Sequence, residues 1–297
     1  MKAAVIHETG GPEVLRYEEL PDPEPQQGEV LVRVSAVGVN RYDVNQRAGG
    51  ASGAPFPLIL GIDAAGIRED SGDRVLVTGV PGCYAELVAA PEDNVWRLPG
   101  EVDDATAAAL GVPYRTAWWS LVDVGGLKSG QTLLVQGGSS ATGQASIDVG
   151  RSVGATVYAT GSEWKLERLR ATGAEALAYD DPRLSELEAD VVFDPIGGDT
   201  FARSVEALRR DGRLVTPGAV TSPQVSFNVW TLIGKRARII GIGSAPAPRE
   251  TVEKLIELAA RGELRPVIDR ELPLSEAAEA HRAIEAREVF GKVILRP

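Results

Sequence analysis

"LLVQGGSSATGQ", residues 133–144, decides how the rest of the chain reads. An apolar run enters it, two glycines, two serines and a further glycine follow, and a helical pattern leaves it. With "TLLVQ" before it, "TGQASIDVGRSVG" ending near Gly154 after it, and "ATVYAT" next, it forms a compact strand–helix–strand unit. Two readings fit. In one, the free N–H groups at the helix start hold a pyrophosphate, the small residues Gly137 to Thr142 let the backbone come close, and Gly143 lets helix pack on strand. In the other, this is a plain strand-to-helix turn with Ser139 or Ser140 as N-cap. The glycines do not follow the G-x-G-x-x-G order, so the turn alone leaves both readings open.

Working outward, the alternation continues. "SEWKLERLRATG" reads as a helix with Ser162 as N-cap and Gly173 as its stop. "EALAY" and "ADVVFD" are strands, and "DTFARSVEALRRDG" is a helix with Phe201, Val205 and Leu208 on one stripe. "RLVTPG" and "RIIGIG" are the fifth and sixth strands. Such alternation predicts a parallel sheet with helices on both faces. The first third is different. "KAAVIH", "EVLVRVSAVGV", "GDRVLVTG" and "YAELVAAP" are short strand-like runs punctuated by Gly and Pro, as in small barrels. "DDATAAALGVPYRTAWWSLVDVG" is Ala-rich and helical, with Asp103 or Asp104 as its cap. The tail gives two helices and a closing strand that do not extend the alternation and so rejoin the first domain.

Composition narrows the function. Among the 297 residues, 43% are hydrophobic and 25% charged, an ordinary globular balance. A formal net charge of -11 argues against nucleic acid as the main partner. No apolar run is long enough to span a bilayer and the N-terminal residues lack a signal-peptide pattern, so a cytoplasmic protein is expected. One cysteine, Cys83, and two histidines, His7 and His281, have no zinc-ligand spacing, and no metal is expected.

The second strand selects among cofactors. An NAD-binding fold usually ends it with an acid that takes the ribose 2'-hydroxyl. Here it ends Ala159-Thr160-Gly161-Ser162, and Lys165 follows. A hydroxyl and an ammonium suit a 2'-phosphate and point to NADP(H). The competing reading makes Lys165 a solvated helix-surface lysine.

Taken together, these segments resemble the zinc-free medium-chain dehydrogenases/reductases of the quinone oxidoreductase (zeta-crystallin-like) group. The resemblance is carried by "MKAAVIHETGGPEVL", "GEVLVRVSAVGVNRYDVNQRAG", "PFPLILGIDAAG", "GCYAELVAAP", "VVFDPIGG", "GRLVTPG" and "GKVILRP" as well as the turn. It implies a GroES-like, partly open β-barrel substrate domain from residues 1–113 and 248–297, and a Rossmann domain with a doubly wound parallel sheet from residues 114–247. It also implies a homodimer through the last Rossmann strand, near Ile239–Ile242. Ser140, Ala141, Thr142 and Gly143 match the family's pyrophosphate turn, although Ser140 and Ala141 stand where glycines are usual; Ser140 is expected within hydrogen-bond reach of the pyrophosphate. Ser162, Lys165 and Tyr179 match the 2'-phosphate and adenosine positions. Gly218, Ala219, Ile242 and Gly243 match the nicotinamide side. Asn40, Asp43 and Arg47 match an N-x-x-D-x-x-x-R pattern, in which Asp43 and Arg47 are expected to pair. Thr116 matches a threonine that faces the nicotinamide, and Asn45 replaces a tyrosine common near the substrate.

The expectation is an NADPH-dependent reductase passing hydride to a quinone or another electron-poor α,β-unsaturated carbonyl. Asn40, Asn45 and Thr116 are the candidate donors to the oxygen that gains charge, with Tyr42 behind them. The alternatives are an enone or enoyl-thioester reductase, and an NADPH-binding protein without significant turnover.

Overall fold

The computed structural model describes residues 1–50, 55–243 and 248–297. The chain divides into two compact units, Met1–Val112 with Val252–Pro297, and Pro113–Thr251. The second expected boundary, between 247 and 248, touches residues outside those described.

Among the described residues the first unit opens with eight strands: β1 (Lys2–Ile6), β2 (Arg16–Glu19), β3 (Glu29–Gly38), β4 (Leu58–Ile59), β5 (Asp63–Arg68), β6 (Arg74–Thr78), β7 (Leu87–Pro91) and β8 (Val95–Arg97). Along β3 the pleat buries Val30, Val32 and Val34 while Arg33 faces water. A one-residue slip would reverse that burial, so the hydrophobic pattern sets the register. Helix α1 (Arg41–Arg47) follows β3 directly and was not anticipated from the sequence.

Helix α2 (Asp104–Trp118) starts where Asp103 accepts the Thr106 N–H at 2.9 Å, which makes Asp103 the cap. It is broken at Gly111 (φ -45°, ψ -122°), just before Pro113. Inside a helix a proline has no N–H for the carbonyl four residues back, and its ring crowds that carbonyl, so the helix kinks ahead of Pro113. The Val112 N–H donates to Asp63 Oδ2 at 2.9 Å instead. A Cβ on Gly111 would sit 2.3 Å from that carboxylate, so no larger residue fits.

The second unit carries β9 (Thr132–Val135), α3 (Ala141–Ser152), β10 (Thr156–Gly161), α4 (Leu166–Ala171), β11 (Glu175–Ala178), β12 (Ala189–Phe193), α5 (Thr200–Glu206), β13 (Leu208–Thr216), α6 (Val229–Lys235) and β14 (Arg238–Gly241). Its sheet runs β11-β10-β9-β12-β13-β14, every pair parallel. Counted from its first strand this is the order 3-2-1-4-5-6, whose direction reverses beside β9, where dinucleotides bind in this architecture. The expected helix "DTFARSVEALRRDG" is too long. It ends at Glu206, and Leu208, instead of closing a helical stripe, is fully buried in a strand beside Ala189. Asp211, with φ of 63°, could not continue a helix.

The chain then adds α7 (Arg249–Ala260), β15 (Ile268–Pro273), α8 (Ala277–Glu285) and β16 (Lys292–Arg296). β16 pairs antiparallel with β3 and parallel with β15, so the tail does rejoin the first unit's larger sheet, ordered β15-β16-β3-β5-β6-β8 with β7 also on β3. One apolar core joins the tail's Val293, Leu295 and Ala280 to Val32, Val37 and Val77.

Candidate active site

In the second unit the expected cofactor residues lie at the carboxyl ends of parallel strands, on the turns leaving them or, for Ala141, Thr142 and Gly143, in the first turn of the helix that follows. The turn after β9 is held from its neighbour. Gly137 N–H donates to Thr160 Oγ1 at 3.1 Å and Gly138 N–H to the Thr160 carbonyl at 2.8 Å. Gly137 has φ of +68°, a conformation that glycine adopts without strain. A Cβ on Gly143 would stand 2.3 Å from the Gly137 carbonyl oxygen, so the helix approaches the turn as only glycine permits.

Ser140 is the N-cap of α3, its Oγ accepting the Gly143 N–H at 3.0 Å. Its hydroxyl donates back to the Gly137 carbonyl, also at 3.0 Å. In this arrangement that proton is used inside the turn. Ala141 and Thr142 occupy the first two helical positions, whose N–H groups have no acceptor within a helix. They and the positive end of a 12-residue helix are what this turn offers an anion.

Lys165 is buried, 4% exposed, which overturns the solvated-surface reading. Its Nζ lies 3.5 Å from Ser139 Oγ, so β10's end and the turn after β9 meet there. Ser162 is exposed and occupies the expected N-cap position, ahead of a short 3-10 turn, Glu163–Lys165, but its side chain makes no cap hydrogen bond. The Tyr179 hydroxyl lies 3.8 Å from where a Cβ on Gly137 would be, so Tyr179 also borders the turn. Beyond β13 and β14, the Thr216 hydroxyl donates to the Gly218 carbonyl at 2.8 Å, and the Ile242 N–H to the Thr216 carbonyl at 3.0 Å. Ala219 packs on Gly197. Gly243 follows Ile242 in an exposed position.

Sequence reasoning missed what holds this edge together. Thr160 Oγ1 donates to Gln136 Oε1 (2.6 Å), Gln136 Nε2 to Ser204 Oγ (3.1 Å), and Ser204 Oγ to Asp194 Oδ2 (2.7 Å). Asp194 Oδ1 accepts the N–H groups of Ile196 and Gly197. All four side chains are buried, and their network links the ends of β10, β9 and β12 under the turn. The only legible signal was a polar residue at the end of each apolar strand.

In the first unit, Asn40 precedes α1 and is buried. Its Nδ2 donates to Asp63 Oδ2 at 2.8 Å and to the Gly38 carbonyl at 3.2 Å, while Lys292 Nζ donates to its Oδ1 at 2.6 Å. Both amide N–H groups of Asn40 are thus engaged, which removes it as a free donor and makes it a scaffold. Asp63 also accepts Thr78 Oγ1 at 2.6 Å and faces Lys292 Nζ at 3.9 Å. Burial lowers the Lys292 pKa, and the carboxylates of Asp63 and Asp43 oppose that shift.

Asp43 does not pair with Arg47 as expected. Its Oδ2 accepts the Asn40 N–H at 2.8 Å and the Tyr84 hydroxyl at 3.2 Å, while Arg47 reaches Glu285. Burial pushes the Asp43 carboxyl up to about 7 against the pull of the Asn40 N–H and Lys292. Asn45 is exposed on α1. Thr116 is half-buried on α2 beyond Pro113, in the second unit.

The zinc question turns on the donor set. Cys83 is fully buried, its thiol donates to the Val80 carbonyl, and burial pushes its pKa up. His281 is buried with Nε2 3.0 Å from the Tyr84 hydroxyl, and burial pushes it down to about 3. His7 faces Glu18 on the surface. Among the described residues, no three His, Cys, Asp or Glu side chains converge as metal ligands would. Nor is any helix there long and apolar enough to cross a membrane.

Comparison with known proteins agrees with this geometry. Residues 26–100 match the alcohol dehydrogenase GroES-like domain, and residues 172–295 match the zinc-binding dehydrogenase family. Mouse (Mus musculus) quinone oxidoreductase is 31% identical, with 99% of this chain and 97% of the relative aligned. The solved structure of Escherichia coli quinone oxidoreductase complexed with NADPH superposes with a TM-score of 0.91 at 25% identity, covering 100% of both chains. An NAD-dependent alcohol dehydrogenase superposes at 0.93 with 32% identity, also over 100% of both. The chain is an NAD(P)H-dependent oxidoreductase, and it belongs to the zinc-free medium-chain dehydrogenases/reductases, in their quinone oxidoreductase group.

Proposed function

We propose that the chain is an NADPH-dependent reductase that passes hydride, without a metal, to a quinone or another electron-poor α,β-unsaturated carbonyl. The observation that carries the cofactor half is Lys165, buried beside Ser139 of the turn, after a second strand that ends without an acid. The solved relatives include one complexed with NADPH and one described as NAD-dependent, so the choice rests on this chain's own residues. The N–H groups of Ala141 and Thr142 hold the pyrophosphate, with Ser140 and Gly143 shaping the turn. Ser162 and Lys165 take the 2'-phosphate, and Tyr179 borders the adenosine. Gly218, Ala219, Ile242 and Gly243 form the nicotinamide side.

Bound NADPH supplies the hydride. The acceptor oxygen gains charge as hydride arrives and needs a donor. Asn45 and Thr116 are the side chains proposed for that role, and Asn40 positions α1 through its bonds to Asp63 and Lys292. The single cysteine and the two histidines, committed elsewhere or exposed singly, support the reading without zinc. A homodimer through β14, the edge strand of its sheet, also fits. Val220, Val225, Val229, Trp230 and Ile233, just before that strand, are all exposed apolar residues that a second copy would cover.

The test is stopped-flow NADPH oxidation against quinones, simple enones and an enoyl thioester. Turnover with quinones is expected. Reduction of enones and thioesters with poor quinone rates would reassign the acceptor to a carbon–carbon double bond. No oxidation by any acceptor would leave an NADPH-binding protein.

A further inference from the structure

We infer that Trp164 is a positioning residue for cofactor choice: it holds the Lys165 ammonium at the phosphate turn, an inference that rests on the NADPH reading above. Trp164 lies between Ser162 and Lys165 and is 64% exposed, whereas the lysine beside it is 4% exposed. Lys165 Nζ stands 4.7 Å from the centroid of the Trp164 ring and 3.5 Å from Ser139 Oγ. The ammonium therefore sits between an indole face and the turn that receives the pyrophosphate.

The chemistry of that pair matters. A lysine chain is long and flexible, and its charge serves a phosphate only if it is held in place. An aromatic face attracts the ammonium through its quadrupole and leaves the net charge intact. The indole thus helps hold the ammonium beside the phosphate turn, and it adds no negative charge of its own. The ring also keeps water from one side of the ammonium, which strengthens its attraction for a dianion.

The test compares NADPH and NADH dissociation constants for the wild type, Trp164→Leu and Trp164→Phe, each alone and combined with Lys165→Ala. Trp164→Leu should weaken NADPH roughly three- to fivefold, the size of an exposed cation–π contact, and leave NADH unchanged. Trp164→Phe should recover part of the loss. In the Lys165→Ala background, Trp164→Leu should have no further effect. Equal weakening of both cofactors, or a loss that persists without Lys165, would overturn the inference. A wild type that prefers NADPH but is indifferent to Trp164→Leu would overturn it alone. A wild type with no preference for NADPH would overturn the NADPH reading with it. Unchanged NADH binding serves as the control that each variant is folded.

Discussion

The phosphate turn and the network around Asp63 are both held by hydrogen bonds, but they close over different lengths of chain. In the turn, Ser140 bonds Gly137 and Gly143, each three residues away. In the network, Lys292 bonds Asn40 across 252 residues, and Tyr84 meets His281 across 197. The turn presents backbone N–H groups and a helix end, so its chemistry needs small residues in the right place. The network consists of buried charged and polar side chains, so it needs every partner present. One is a local conformation that binds from outside, and the other is a tertiary clamp that carries α1 and the kink in α2.

The largest break of that contrast should come from Asp63→Ala. It removes the acceptor of Thr78, Asn40 and the Val112 N–H, and leaves Lys292 buried without its carboxylate. Loss of one partner from a buried ion pair costs about 3–5 kcal/mol, and denaturant unfolding should show a destabilisation of that size. A loss below about 1 kcal/mol, the scale of one ordinary hydrogen bond, would show the clamp to be dispensable.

On the turn side, Lys165→Ala should change binding and not folding. Removing one charge-assisted contact to a phosphate should weaken NADPH by about 1.5–3 kcal/mol while NADH is unaffected. Titration of both cofactors checks this, and equal losses would remove Lys165 from the 2'-phosphate site.

Gly143→Ala sharpens the contrast at the backbone level. Its Cβ would be 2.3 Å from the Gly137 carbonyl, so helix and turn must separate. Overpacking of this kind costs about 1–3 kcal/mol, and the atoms that must give way here are backbone atoms of Gly137 and Gly138. Unlike Lys165→Ala, it should weaken NADH and NADPH alike, which the same titrations would read. A loss confined to NADPH would show that the turn does not hold the shared pyrophosphate.

The same division explains what was legible beforehand. The strands β9, β10 and β12, the helix α3 and the glycines of the turn could be read because each is specified by neighbours in sequence. The over-long helix at residues 200–213 failed because Leu208 is apolar at helical spacing yet belongs to a strand, a choice made by its pairing partner at Ala189. Asn40 was found by pattern but given the wrong work. Nothing near it in sequence says that Asp63, Gly38 and Lys292 engage its whole amide. Asp63, Lys292 and the Gln136–Thr160–Ser204–Asp194 network were not singled out, since a single polar residue at a strand end is common in sequence and acquires meaning only from its neighbours in space.

The sequence by itself determined the alternating pattern, the phosphate turn, the missing acid after β10 and the small supply of metal ligands. These depend on periodicity, local backbone preference and residue count. Tertiary structure alone decided that Lys165 is buried against Ser139 beneath an exposed indole, that Ser140 turns its proton inward, and that Asp43 bonds Tyr84 while Arg47 goes to Glu285. Burial, charge and hydrogen-bond saturation belong to the packed neighbourhood of a residue, and distant strands and helices assemble that neighbourhood.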